Sequence, residues 1–343
     1  MRVGYVSPMS IAAVNGGLRN QALQTTKHIT SFGAEPYLIS PWDDIKEMDL
    51  DLVHVFGASI ENVGIVDQIK AMGLPLALSP VFFSNRNAAF IKRALKMEQL
   101  SSAFGSGIRS DFSVKTNLCR KADVILPNTS AEADLIRNGF SIPDDQIRVI
   151  PNGVEQKFAD AKPDLFIETY GLKDFVLFAG QAGAERKNVI KLLEVANEVD
   201  APLVIIGSFY RDQYGKKCII LANKAGNVTL IDTLDHDSEL LASAYAASSV
   251  FVLPSQFETP GIAAMEAALA GSKIVITGRG GTKDYFDGYA EFINPDSSKS
   301  ILNGIKEALN KASSDSLKNH LLEKYSWQRV AELTANQYKR ISA

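Results

Sequence analysis

Two glutamates lie eight positions apart in the run Ser255-Gln256-Phe257-Glu258-Thr259-Pro260-Gly261-Ile262-Ala263-Ala264-Met265-Glu266. The preceding Val250-Phe251-Val252-Leu253-Pro254 is short, apolar and β-prone, so it reads as a buried parallel strand. Thr259 is the expected N-cap and Pro260 the expected first helical residue. Gly261 lets another group come close to the backbone. The order is then a strand, a loop carrying Glu258, and a helix N-terminus with free N–H donors, with Glu266 about two turns along that helix. A helix N-terminus at the carboxyl end of a buried strand suits a phosphate. An ionised carboxylate only accepts hydrogen bonds, so acids on either side suit hydroxyl groups. Phosphate flanked by hydroxyls is the chemistry of a nucleotide sugar. Two glutamates at this spacing with nothing else around them would read as a capping acid and a surface acid.

Other residues add to or compete with this site. Arg186 and Lys187 close the run Gly180-Gln181-Ala182-Gly183-Ala184-Glu185-Arg186-Lys187-Asn188 after a strand. Positive charge there neutralises a diphosphate; the plainer reading is a solvated basic turn. Asn15-Gly16-Gly17-Leu18 follows the first strand and opens a helix, a place for an anion, although the third glycine of a dinucleotide fingerprint is missing. His54 ends a strand and is either acceptor-facing or a hydrogen-bonded structural histidine. His28, His236 and His320 read as ordinary surface or helix positions. Asp49/Asp51 and Asp235/Asp237 have a metal-binding spacing. Asp237 reads better as the N-cap of a helix over 238–247, and Asp51 as a strand-edge acid, so no metal is assigned.

The elements that position these residues alternate. Apolar β-type runs at 3–6, 36–40, 52–56, 75–78, 124–126 and 148–150 are separated by helical patterns. The series restarts at 175–179, 203–206, 228–231, 250–253 and 273–276. Such alternation predicts parallel sheets wound with helices, and the restart predicts two doubly wound domains facing a central cleft. The join is expected near Pro151-Asn152-Gly153-Val154, with domains over 1–157 and 158–325 and a helix over 326–343 crossing back to the first. Between residues 84 and 121 eight basic residues meet two acids, and a helical pattern over 88–104 interleaves Phe90, Ile91, Leu95 and Leu100 with Lys92, Arg93 and Lys96. That segment is either a solvated helix over the core or a contact with an anionic membrane.

The bulk composition sets bounds. At 343 residues, with 46% hydrophobic and 22% charged residues, a two-domain globular protein is expected. A net charge of −3 gives no overall attraction to nucleic acid. Cys119 and Cys218 fit core thiols in a reducing compartment. The chain opens on a strand, without a leader pattern, and no apolar run reaches the roughly 20 residues that span a bilayer. A cytoplasmic location, at the inner membrane face if the basic segment binds lipid, is the expectation.

The Glu258…Glu266 string, with Leu253-Pro254-Ser255 before it and Glu266-Ala267-Ala268-Leu269-Ala270-Gly271 after it, resembles the paired-glutamate motif of the retaining glycosyltransferases of family 4. The resemblance runs over nearly the whole chain, strongly over 120–295 and more loosely in the first hundred residues. It implies the GT-B fold, a nucleotide-diphosphate sugar as donor and a saccharide as acceptor, without cofactor or metal. By it, Glu258 contacts the donor sugar and Glu266 holds the ribose. Lys187, Gly16, Gly17 and the Gly261-Ile262 helix start face the diphosphate, while Thr233 and Leu234 complete the donor-binding candidates. Two positions depart from the pattern. Gln181 stands where the family has an arginine, with Arg186 available as a substitute. Ser79-Pro80-Val81-Phe82 carries no histidine where many members have one after the strand. Two alternatives stay open: a non-catalytic sugar-nucleotide-binding relative, which these departures keep alive, and a sugar-nucleotide epimerase, against which the paired glutamates argue. The basic part of the first domain would face a lipid-linked acceptor or a cell-surface polysaccharide precursor.

Overall fold

The computed structural model describes residues 1–13, 16–103 and 110–342. Asn15, Phe104 and Arg109 fall outside the described residues. The chain divides into two compact units, Met1–Gly153 with Trp327–Ala343, and Val154–Ser326. The division lies four residues before the expected one. Val154 donates its N–H to the Tyr325 carbonyl at 2.8 Å and bridges Ser326, both inside the second unit. Gly153 lies against the Trp327 ring in the first unit, where a Cβ would come within 2.5 Å of the ring.

The first unit holds β1 Arg2–Val6, β2 Glu35–Leu38, β3 Leu52–Phe56, β4 Leu76–Ser79 and β5 Val124–Ile125 in a parallel sheet of order β2-β1-β3-β4-β5. Helices cover both faces, so β3 and β4 are buried throughout. Along β3, Val53 and Val55 enter one core with Leu76 and Leu78. Leu52 and Phe56 enter the other, with Val330, Ala331 and Ala335 of the terminal helix Trp327–Ile341. The expected strand at 148–150 does not form. Arg148 and Ile150 donate to the Ile125 and Pro127 carbonyls, both at 2.9 Å, but β5 is only two residues long and offers no edge to extend along. Pro151 follows and has no N–H to continue the ladder.

The second unit holds β6 Phe175–Ala179, β7 Leu203–Ile206, β8 Val228–Ile231, β9 Ser248–Leu253, β10 Lys273–Thr277 and β11 Glu291–Ile293. They form one parallel sheet of order β11-β10-β9-β6-β7-β8. The strand β11 was not expected, because three residues are too few to show a period. One continuous core runs through this unit, and each fully buried Val, Leu, Ile or Phe contributes about 1.5–3 kcal/mol. The winding runs β6, β7, β8 in one direction, then returns to place β9 on the other side of β6. The order reverses between β6 and β9, and in open α/β sheets ligands bind outside the carboxyl ends of the strands at such a reversal.

Candidate functional site

The loops leaving β6 and β9 carry the sequence-predicted charged residues, and the backbone ties them together. The Gln256 N–H donates to the Arg186 carbonyl at 2.8 Å. Asn188, in the left-handed region at φ 60°, donates from Nδ2 to the Pro254 carbonyl at 3.0 Å and to the Pro295 carbonyl at 2.7 Å. Asparagine tolerates that conformation better than most residues, so one buried side chain clips three segments. Sequence reading passed over it.

The Lys187 Nζ donates to Glu258 Oε1 at 2.5 Å, and Arg186 Nη1 lies 3.8 Å from the same oxygen. The Ser255 hydroxyl donates to Oε1 at 2.7 Å. Burial by itself raises the pKa of Glu258, but the charge and hydrogen bond of Lys187, with Ser255 and Arg186, outweigh it and hold the carboxyl below its usual range. Glu258 therefore stays an anion although it is buried. Its backbone is fixed as well, with its N–H on the Arg279 carbonyl at 3.1 Å and its carbonyl on the Gly281 N–H at 2.9 Å. Gly280 passes so close that a Cβ would sit 1.9 Å from the Glu258 carbonyl oxygen.

The helix between the two glutamates begins later than expected. Its N-cap is Gly261, at φ 76°, and it runs over Ile262–Leu269, so Thr259 does not cap it and Pro260 is not its first residue. The left-handed φ favours glycine there, and a β-carbon would come within 2.9 Å of the Ile276 side-chain tip. The left-handed turn at Gly261, and not a side-chain cap, marks the start.

Glu266 is buried, and both carboxylate oxygens have partners. His236 Nε2 lies 2.7 Å from Oε1, and the Tyr245 hydroxyl donates to Oε2 at 3.2 Å. His236 is thus not an ordinary surface position. The other ring nitrogen faces Asp237 at 3.4 Å and Glu155 at 4.0 Å. The hydrogen bond with Glu266 raises the His236 pKa to about 9, against some desolvation and the nearby Lys157. Asp237 is not an N-cap. Ser238 caps the helix Glu239–Ala247, and Asp237 pairs with Lys157 at 2.6 Å. Glu155, His236 and Asp237 stand close enough to share a cation, but the Lys157 ammonium already lies 2.6 Å from Asp237 and 3.5 Å from Glu155. The only sequence sign of His236 was its place between two aspartates.

The remaining candidates scatter. Gln181 is exposed at the start of the β6 loop. Thr233 follows β8, with its hydroxyl 2.6 Å from that of Ser208, and Leu234 packs its side chain on the core. Gly16 caps the helix Gly17–Ile29 in the first unit, with open space where a Cβ would be. His54 does not face an acceptor. It is 1% exposed, with Nδ1 2.6 Å from the Tyr338 hydroxyl and Nε2 2.9 Å from the Ser79 hydroxyl, and Phe56 stacks on its ring. Burial drops its pKa to about 3. It lies inside the sheet because β3 is central and covered on both faces.

The basic segment forms two helices, Ala88–Ala103 and Asp111–Lys121. Ile91 and Leu95 turn inward, while Phe90, Met97 and Leu100 are exposed beside Lys92, Arg93 and Lys96. Lys115 and Lys121 are paired with Asp111 and Asp67. Among the described residues, no helix is long and apolar enough to cross a membrane.

Over residues 166–325 the chain carries a domain matching the family model Glycosyl transferases group 1. It is 28% identical over 221 residues to an uncharacterized glycosyltransferase of Methanocaldococcus jannaschii, covering 58% of this chain and 55% of that one. The chain spans a little over half the length of this relative. Sucrose-phosphate synthase from Thermosynechococcus elongatus superposes with a TM-score of 0.77 at 16% identity, covering 99% of this chain and 98% of that one. The Anabaena protein HepE in complex with UDP superposes with a TM-score of 0.69 at 14% identity, covering 100% and 97%. Two Rossmann-like parallel sheets with helices on their faces, in this order, are the GT-B fold.

Proposed function

We propose that the protein is a retaining, metal-independent glycosyltransferase of family 4 that moves a sugar from a nucleotide-diphosphate sugar to a saccharide acceptor. One observation carries the reading: two buried glutamates flank the N-terminus of the Ile262–Leu269 helix at the β6/β9 reversal, and each is held by a basic side chain. The group 1 domain match over the same residues supports it. In this reading Glu258 orients the donor sugar and Glu266 accepts from the ribose hydroxyls. Lys187, with Arg186 beside it, faces the diphosphate. Negative charge grows there as the sugar leaves, so a fixed cation acts most strongly in the transition state. The helix N-terminus would add N–H donors. No residue is assigned as a covalent nucleophile.

The exposed Phe90, Met97 and Leu100 beside Lys92, Arg93 and Lys96 favour a lipid-linked saccharide or surface-polysaccharide precursor as acceptor, met at the cytoplasmic face of a membrane. A second reading, a non-catalytic sugar-nucleotide-binding relative, draws on Gln181 and on the serine and proline where a histidine is common. Turnover with a panel of nucleotide sugars separates the two. Release of nucleoside diphosphate with transfer to an acceptor, with the anomeric configuration kept by NMR, supports the enzyme. Tight binding of a nucleotide sugar with neither transfer nor hydrolysis supports the binding protein.

A further inference from the structure

Each oxygen of the Glu266 carboxylate offers two lone pairs. His236 takes one on Oε1 and the Tyr245 hydroxyl takes one on Oε2, so each oxygen keeps one. Two adjacent acceptors of this kind match the two O–H groups of a vicinal diol. Tyr245 is buried beside Glu266, whereas His236 approaches from the loop after β8 and is itself oriented by its other nitrogen. We propose that His236 is a positioning residue that fixes the Glu266 carboxylate for a vicinal diol, and that selection of ribonucleotides over deoxyribonucleotides depends on it. The proposal rests on the reading of Glu266 as the ribose acceptor.

The surroundings of the ring explain how it holds. The groups facing it are Glu266, Glu155, Asp237 and the Phe158 ring edge, with Lys157 bridging the two outer acids. A doubly protonated imidazolium donates toward Glu266 on one side and toward the outer acids on the other, so it cannot flip without losing both. The neutral ring has one N–H and satisfies one side only. The pKa of about 9 keeps the two-sided form through neutral pH.

The test uses the full chain and calorimetry. ADP, GDP and UDP are compared first, and the tightest is then measured against its 2′-deoxy and 3′-deoxy counterparts. In His236→Ala the preference for the ribonucleotide should fall about tenfold, the size of one charge-assisted hydrogen bond. His236→Gln, which can still donate one hydrogen bond, should recover part of it. Retained affinity for the deoxynucleotide shows that each variant is folded. The double variant with Glu266→Gln should discriminate no worse than Glu266→Gln by itself. In the unsubstituted protein the preference should decline as pH rises through about 9, and in His236→Ala it should be flat across that range. If Glu266→Gln abolishes the preference while His236→Ala keeps it whole, His236 plays no positioning part and the ribose reading stands. If Glu266→Gln keeps the preference, the ribose reading fails and this inference fails with it.

Discussion

Both units are parallel sheets, in different strand orders, and they differ in where they put charge. In the second, an acid and a cation meet at the reversal between β6 and β9, and a histidine holds a second acid close by. In the first, the histidine of β3 is sealed among hydroxyls and aromatic rings. Both histidines are close to partners on both ring nitrogens, yet burial lowers His54 to about 3 and the Glu266 hydrogen bond raises His236 to about 9. Burial without a counter-charge keeps the first ring neutral, and a facing carboxylate keeps the second charged. Hydroxyls leave a buried ring neutral and structural, while carboxylates around a half-buried ring keep it charged.

If the second unit carries the chemistry, its largest single effect should be at Lys187. Lys187→Ala should lower turnover by roughly 10²–10³, about 2.7–4 kcal/mol of transition-state stabilisation, with a smaller effect on binding of the intact donor. Arg186 would blunt the loss, so the double variant should be slower still. Steady-state kinetics with the true donor measure both. Wild-type turnover in both variants would reduce this loop to a solvated basic turn.

The first unit should answer in stability instead. His54→Ala opens a cavity and strands the Tyr338 and Ser79 hydroxyls, at a cost of roughly 2–4 kcal/mol. The free energy of unfolding from denaturant titration should fall by that amount, while turnover per folded molecule holds. Lower turnover at unchanged stability would return His54 to the site and erase the contrast.

The pH dependence of stability sharpens the comparison further. His54 is depressed in the folded state, so its neutral form contributes stability that is complete above about 6.5 and is lost progressively as pH falls toward 3. His236 is raised, so its contribution is complete below about 6.5 and is lost as pH rises through 9. His54→Phe should flatten the acid limb of the stability profile and His236→Gln the alkaline limb. The second effect should be much the smaller, because His236 is half exposed and solvent screens its partners. Equal flattening of one limb by both variants would contradict the assignment.

The smallest effect per residue concerns the outer face of the Ala88–Ala103 helix. Each of Lys92, Arg93 and Lys96 should contribute about 1 kcal/mol to binding anionic vesicles, fading with salt. Co-sedimentation with liposomes measures it. Equal recovery on neutral and anionic vesicles would remove the membrane from the proposed function.

Sequence by itself determined the strand series, ten of whose eleven expected runs form strands, and the pairing of Glu258 with a loop and Glu266 with a helix. These are local matters: apolar runs of strand length and turn residues between them. Only the tertiary structure decided which groups meet. Glu258 and Lys187 are 71 positions apart, Glu266 and His236 are 30, and Asn188 reaches partners 66 and 107 positions away. None of these distances has a period that could be read along the chain. They follow from β9 returning to lie beside β6, an arrangement set by the packing of the whole sheet. The same holds for Gly261, whose left-handed backbone lies against Ile276 on β10, and for His54, whose buried ring meets Tyr338, 284 positions along the chain.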